Sequence, residues 1–409
     1  MPCYIKMNNS KIKKLKKRTK ELILQTSCHG IPRVVAEDLK AVKILWLICF
    51  ILSASAGIYT VSLTISSYLE YDVVTKINVF YDKKPQFPAV TFAVLKSNSK
   101  IFAPLQQIMY ECKFNRKICS ANDFETKIDR YGYVSYKFKP KVSLNPGAAF
   151  GLQVSLNLES IYDTGYNFTG LRIIIHNDSI DSGFYGGYSD ENLKLLSATK
   201  TDIVVDRIFT YRLDEPYNDC IKDVHRLDKS DSDIYKFILT STNYSYRQQD
   251  CIQYCLGREY YKFYKLTPKI EVLQNAIREV NGNRLAEFYE KNDYWVDEVC
   301  LPNCPLECDS IRYETSSSVM RFTKNYNITN LNLTSLINYE KKADDLISFN
   351  VFYYDFKYTT VSQQPEMSVL SFISNIGGNF GLFIGISFLS FVEIIQFVLE
   401  IAFILSERL

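Results

Sequence analysis

Two stretches of this chain carry almost no charge, and they decide what it can fold into. Ile44 to Ile65 (ILWLICFILSASAGIYTVSLTI) is 22 residues long without one charged side chain. About 20 apolar residues are enough to cross the hydrocarbon core of a bilayer as a helix. The stretch lies behind a polar segment, which is not the layout of a cleaved signal peptide. The second stretch, Met367 to Ser406, holds only Glu393 and Glu400 as charged residues. As one straight helix it would be about 60 Å long, roughly twice the hydrocarbon core. It is therefore expected to be tilted, broken or continued outside the bilayer. The competing reading of both stretches, core helices of a soluble protein, requires the rest of the chain to bury them.

Flanking charge gives a topology. Residues 11–20 (KIKKLKKRTK) hold seven cations, and Arg33, Lys40 and Lys43 lie closer to the first stretch. Cations gather on the cytoplasmic side of spans, so both chain ends are expected there, with the long middle segment outside. The basic run is also suited to anionic membrane lipid. A net charge of +3 is too near neutral to point to nucleic acid.

Eight of the 11 cysteines (Cys112, Cys119, Cys220, Cys251, Cys255, Cys300, Cys304 and Cys308) fall between the two stretches. An even number in an oxidising compartment predicts four disulfides. The spacing alone leaves the connectivity open, with zinc as the rival use of the C-x3-C runs. On helices, Cys251 and Cys255 would share a face, as would Cys300, Cys304 and Cys308, and two such helices could be bridged in nested fashion. Glycosylation sequons stand at Asn167, Asn177, Asn243, Asn327 and Asn332. Residues 86–95 and 131–214 read as strands of a β-core, 231–298 as helical, and 309–325 and 346–361 as strands again.

Acidic residues at mid-membrane depth cost about 2.5–3.5 kcal/mol on insertion scales, so they face a bundle interior or a water path. Glu393 and Glu400 are seven apart, two helical turns, and share a face. Asn375, Asn379 and Ser387 add polar groups, and Gly377, Gly378, Gly381 and Gly385 permit close approach of backbones. One such helix cannot enclose a pore, but a ring of copies can, with acidic side chains selecting cations. No Ser/His/Asp order, phosphate loop or H-E-x-x-H is present, and three histidines are too few for most enzyme sites, so neither catalytic residues nor a cofactor or resident metal is expected.

Several motifs resemble those of the degenerin, epithelial sodium channel and acid-sensing ion channel family. They are cytoplasmic His29-Gly30, residues 71–76 (YDVVTK), 87–92 (FPAVTF), 212–220 (RLDEPYNDC), the Cys300–Cys308 run and, most specifically, 376–393 (IGGNFGLFIGISFLSFVE). The resemblance implies two transmembrane helices flanking a large disulfide-rich α+β ectodomain of palm, β-ball, knuckle, finger and thumb. It also implies a trimeric, sodium-permeable plasma-membrane channel, homomeric or heteromeric. The expected division is 1–43 cytoplasmic, 44–66 first span, 67–366 ectodomain with the thumb at about 217–310, 367–405 second span and 406–409 cytoplasmic. By resemblance, Gly385, Ile386 and Ser387 form the selectivity filter. Ser374 is the amiloride-sensitive position at the outer mouth, with Asn375 beside it, and Gly378 and Glu393 line the path. His29, Gly30 and the Tyr71–Tyr217 contact act in gating. The implied disulfides are Cys112–Cys119, Cys220–Cys308, Cys251–Cys304 and Cys255–Cys300.

The chain departs from the family pattern in places. Ala93 and a position near Val134 stand where the family has a cysteine pair, the finger is short, and Ile386 fills a filter position usually held by a small residue. Asp72 and Val73 replace the histidine pair of acid-sensing relatives. With so few groups titrating between pH 5 and 7, an extracellular peptide or other ligand, or a mechanical stimulus, is a better expectation than protons. The alternative of another class is a non-conducting receptor or obligate accessory subunit of the same architecture.

Overall fold

A computed structural model describes residues 9–27, 30–95, 104–128, 134–139, 141–158, 170–178, 192–241, 245–263, 295–322 and 346–406. The chain forms two compact units, one of residues 1–74 with 364–409 and one of residues 75–363.

The β-rich unit is built on two large sheets and a two-stranded pair. The strands are β1 (Val73–Tyr81), β2 (Ala89–Leu95), β3 (Met109–Phe114), β4 (Lys117–Ile118), β5 (Phe124–Ile128), β6 (Val134–Phe138), β7 (Leu152–Asn157), β8 (Gly170–His176), β9 (Asn192–Leu196), β10 (Thr199–Tyr211), β11 (Cys220–Ile221), β12 (Leu306–Glu307), β13 (Asp309–Arg321) and β14 (Leu346–Pro365). The larger sheet has the order β13-β10-β14-β7-β3-β4, with β1 also on β14; the smaller has the order β5-β6-β2-β8-β9, and the pair is β11 with β12. Strands with period-two alternation bury one face, as Leu152, Val154 and Leu156 of β7 do. Val90 and Phe92 of β2, Phe138 of β6 and Ile173 of β8 enter the same core as Ile203 and Val205 of β10 and Phe349 and Val351 of β14. Phe92 meets Phe349 edge-on at 5.3 Å between ring centres, and Phe87 meets Tyr353 at 5.7 Å. Burying a side chain of this size stabilises by about 1.5–3 kcal/mol over leaving it exposed.

Buried charge in this unit is paired. The Arg207 guanidinium donates to Asp82 at 3.1 Å and lies over the rings of Tyr353 and Tyr358 at 5.1 and 5.3 Å. Lys137 pairs with Asp178. Such pairing offsets the cost of taking charge out of water.

A second, smaller core lies among α5 (Asp233–Ser241), α6 (Gln248–Phe263) and the turns 295–303. It contains Tyr235, Ile238, Tyr246, Leu256 and the half-cystines. The expected helices over 264–294 lie outside the described residues. Cys251 and Cys255 do share a face of α6, but Cys300, Cys304 and Cys308 do not lie on one helix. The chain there makes a turn of π-helix at Trp295–Cys300, a 3₁₀ turn at Leu301–Asn303 and then β12. Pro302 and Pro305 explain this, because neither offers an N–H to an α-helical ladder. Over residues 104–128 the chain forms one short helix, α4 (Leu105–Ile108), the β3–β4 hairpin, a 3₁₀ turn at Ala121–Asp123 and β5.

The other unit is helical: α1 (Asn9–Gln25), α2 (Ile31–Ala36), α3 (Lys40–Leu69), α7 (Val369–Ile384) and α8 (Phe388–Ser406). By length and composition α3 suffices to cross a membrane; α7 and α8 suffice together, bent by 74° at a break.

Candidate functional site

The site is built on the contact of α3 with α7 and on the break after α7. Ser53 of α3 donates to the carbonyl of Phe383. Asn379 reaches the Thr64 hydroxyl at 3.5 Å, and Tyr68 stacks on Phe372 at 4.3 Å. Phe372, Asn379 and Phe383 therefore face α3. A second face carries Val369, Leu370 and Ile373, each at least 60% exposed. The remaining face, at helical spacing, is Ser371, Ser374, Asn375, Gly378 and Gly381, all exposed. A helix in an apolar stretch that exposes a stripe of small and polar residues is suited to a wet path or to close packing with further copies.

The stripe ends at the break. Gly385 has φ +75°, a left-handed conformation that favours glycine, and its N–H returns to the Gly381 carbonyl at 3.1 Å. The Ile386 N–H reaches the Phe380 carbonyl at 3.3 Å, and the Ser387 N–H donates to Ser390 Oγ at 3.0 Å. The 40-residue apolar stretch is therefore broken, which accounts for its excess length. Residues Gly385–Ser387 lie in the break, outside both helices.

Both carboxylates of α8 turn to the N-terminal segment. Glu400 receives the Arg18 guanidinium from Nε at 2.9 Å and from a terminal nitrogen at 3.3 Å, and the Gln396 amide at 2.9 Å. Glu393 accepts from the Thr26 hydroxyl at 3.1 Å and the Ser27 N–H at 3.0 Å. Ser27 Oγ meets Ser390 Oγ at 2.6 Å. Sequence reasoning gave the shared face of Glu393 and Glu400 but not their partners; Arg18 and Glu400 are 382 positions apart, and no local signal joins them.

Other expected residues are placed as follows. His29 lies outside the described residues. Gly30 precedes α2 at φ +90°. Tyr71, at φ 54°, follows α3 and has its ring 6.3 Å from that of Tyr68. Tyr217 sits in a turn, its N–H on the Asp214 carbonyl. Asn177 follows β8; the sequons at Asn167, Asn243, Asn327 and Asn332 lie outside the described residues. The structure brings together Cys112–Cys119, Cys220–Cys308, Cys251–Cys304 and Cys255–Cys300 as disulfides. These bonds leave no thiolate of the eight to hold zinc. Ala93 pairs with Ser135 across β2 and β6, next to Val134, so the two positions without cysteine are neighbours in the small sheet.

His176 is buried and neutral. Its Nδ1 faces the Asn177 carbonyl at 2.8 Å and therefore donates, so Nε2 accepts from the Thr91 hydroxyl at 2.9 Å. Its pKa is pushed down to about 4, first by burial and then by the charges of Lys137, Arg247 and Lys127, against the pull of the Asn177 carbonyl.

A long apolar helix packed on a broken apolar one, in a chain that also carries a disulfide-bonded β-rich unit, is suited by length and composition to a membrane. The family described as amiloride-sensitive sodium channel matches residues 22–92 and 93–397. The chain belongs to this family, whose members are ion channels and not enzymes. It is 28% identical over 263 residues to the epithelial sodium channel subunit gamma of Neoceratodus forsteri, covering 61% of this chain and 38% of that one. It is 23% identical to the bile acid-sensitive ion channel of Homo sapiens, covering 93% of this chain and 86% of that one. Among solved structures, a proton-activated chloride channel aligns at a TM-score of 0.39 and 9% identity, over 83% of this chain and 93% of that one. That score is too low to carry an argument.

Proposed function

We propose that the chain is one subunit of a trimeric, sodium-permeable cation channel that crosses the plasma membrane twice, with both termini cytoplasmic and residues 67–366 outside. The observation that carries this reading is the exposed stripe Ser371, Ser374, Asn375, Gly378 and Gly381 leading into the break at Gly385–Ser387. A single copy leaves the stripe open; three copies around an axis enclose it. In that ring Gly385, Ile386 and Ser387 present backbone carbonyls and a hydroxyl to a cation, and Ser374 with Asn375 stands at the outer mouth, where amiloride acts. Gating is by an extracellular ligand, a peptide or another small molecule, or by mechanical load. His176 supports this over protons, because it titrates near pH 4, below the range in which a proton sensor works. The bile acid-sensitive relative supports adding anionic sterols to the ligands tried.

Ile386 favours a second reading, a subunit that conducts only with other family members or not at all, since a bulky side chain stands at mid-filter. Current recorded from oocytes expressing the chain alone, with sodium replaced, amiloride added and a peptide and bile-acid panel applied, separates the two. A Ser374→Phe variant, which wedges the outer mouth, is run in parallel. Sodium-carried current in either form is the expected result. Silence from both, with the protein at the cell surface, defeats the homomeric channel.

A further inference from the structure

The two carboxylates of α8 have different partners, and the difference assigns them different work. Glu400 is met by a cation: Arg18 of α1 donates to both of its oxygens. Glu393 is met, among the described residues, by neutral donors, the Thr26 hydroxyl and the Ser27 amide. Neutral donors hold a carboxylate in place and favour its ionised form without cancelling its charge. A guanidinium cancels it. Ser27 also ties this segment to the break, because Ser390 Oγ, which Ser27 Oγ meets, takes the Ser387 N–H.

We propose that α1 and the Thr26-Ser27 turn form a latch on α8, in which Arg18 removes Glu400 from the field felt by permeating cations and leaves Glu393 as the charge they meet. Arg18 is then a selectivity-determining residue remote from the filter, and Ser27 a positioning residue for the break. The charge assignment rests on the channel reading above; the latch itself does not.

Two measurements separate them. The first is covalent. With Ser27 Oγ and Ser390 Oγ 2.6 Å apart, a Ser27→Cys/Ser390→Cys pair in a Cys28→Ser background is expected to form an intrachain disulfide when isolated membranes are treated with copper phenanthroline and air as the oxidant, found as a joined peptide by mass spectrometry. Failure to form it in the full-length, membrane-embedded chain overturns the latch. The second is single-channel conductance in a charge cycle. Glu400→Gln takes from Arg18 its α8 carboxylate and leaves it paired with Glu21, and is expected to lower sodium conductance roughly two- to threefold. Arg18→Gln leaves Glu400 unpaired and raises it. Arg18→Gln with Glu400→Gln together returns it to the starting value. Glu393→Gln lowers it whether or not Arg18 is present. The assignment is overturned if Arg18→Gln does not raise conductance, if the double variant does not return to the starting value, or if Glu393→Gln changes nothing. A joined peptide without current from any variant overturns the channel reading and the charge assignment, and leaves the latch standing.

Discussion

The β-rich unit and the helical unit use apolar residues in opposite ways. In the first, Phe349, Leu152, Ile203 and their neighbours are wholly buried between two sheets, and the buried guanidinium of Arg207 is paired with Asp82, as the buried imidazole of His176 is hydrogen-bonded to Thr91. In the second, Leu370, Ile373, Leu382 and Phe388 are 60–84% exposed, and the contacts that fix one helix on another are hydrogen bonds, a close approach at Gly57 and the Tyr68–Phe372 ring stack. In water the first arrangement is stable and the second is not, because exposed apolar area is what folding removes. In lipid the order of importance changes: burial between helices gains little over burial in acyl chains, and close approach with hydrogen bonds decides the packing.

The largest effect that tests this contrast is expected at Phe349. Phe349→Ala should cost about 3–5 kcal/mol, seen as a lower unfolding temperature of the detergent-solubilised chain. Leu370→Ala, on the open face of α7, should stay within about 0.5 kcal/mol. Equal losses from the two would mean that Leu370 is packed against protein, and the contrast would fail.

His176 comes next. Its ordinary pKa of 6.5 falls to about 4 in the folded chain, so between these values the unfolded chain binds the extra proton. Stability is therefore full above pH 6.5, declines as pH falls and levels off below about pH 4, with a total loss on the order of 3 kcal/mol. Denaturant melts at pH 7 and pH 4 should show this loss in the parent and a reduced one in His176→Gln. An undiminished slope in the variant would place the acid sensitivity elsewhere.

What could be read from the sequence follows the range of the interactions. The apolar stretches, the strand alternation of Leu152–Leu156 and the paired cysteine spacing are local patterns, and the structure places α3, β7 and α6 on them. The break at Gly385–Ser387 was foreshadowed by a length that no single straight span can use. The supposed helix through Cys300, Cys304 and Cys308 did not form, although Pro302 and Pro305 were in view; spacing suggested a shared face where the backbone cannot keep one. The partners of Glu393 and Glu400 were beyond reach. A cation seven residues into a basic run looks like its neighbours until the fold sets Arg18, and not Lys17 or Lys20, against α8.

A smaller effect sharpens the contrast from the membrane side. Gly57 is buried in α3, and a Cβ there would stand 3.1 Å from Phe383 Cβ, an atom close to the α7 backbone that cannot swing aside. A Cβ on Gly377 meets nothing within 4 Å. Gly57→Leu should push α7 from α3 at a cost of about 1–3 kcal/mol. It should also weaken the Ser53 and Asn379 hydrogen bonds that need the same approach. Gly377→Ala should be tolerated. Thermal unfolding in nanodiscs, with surface expression as a second readout, checks both. If Gly57→Leu unfolds no earlier than Gly377→Ala, then close backbone approach is not what holds these helices, and lipid or further copies must be pressing them together.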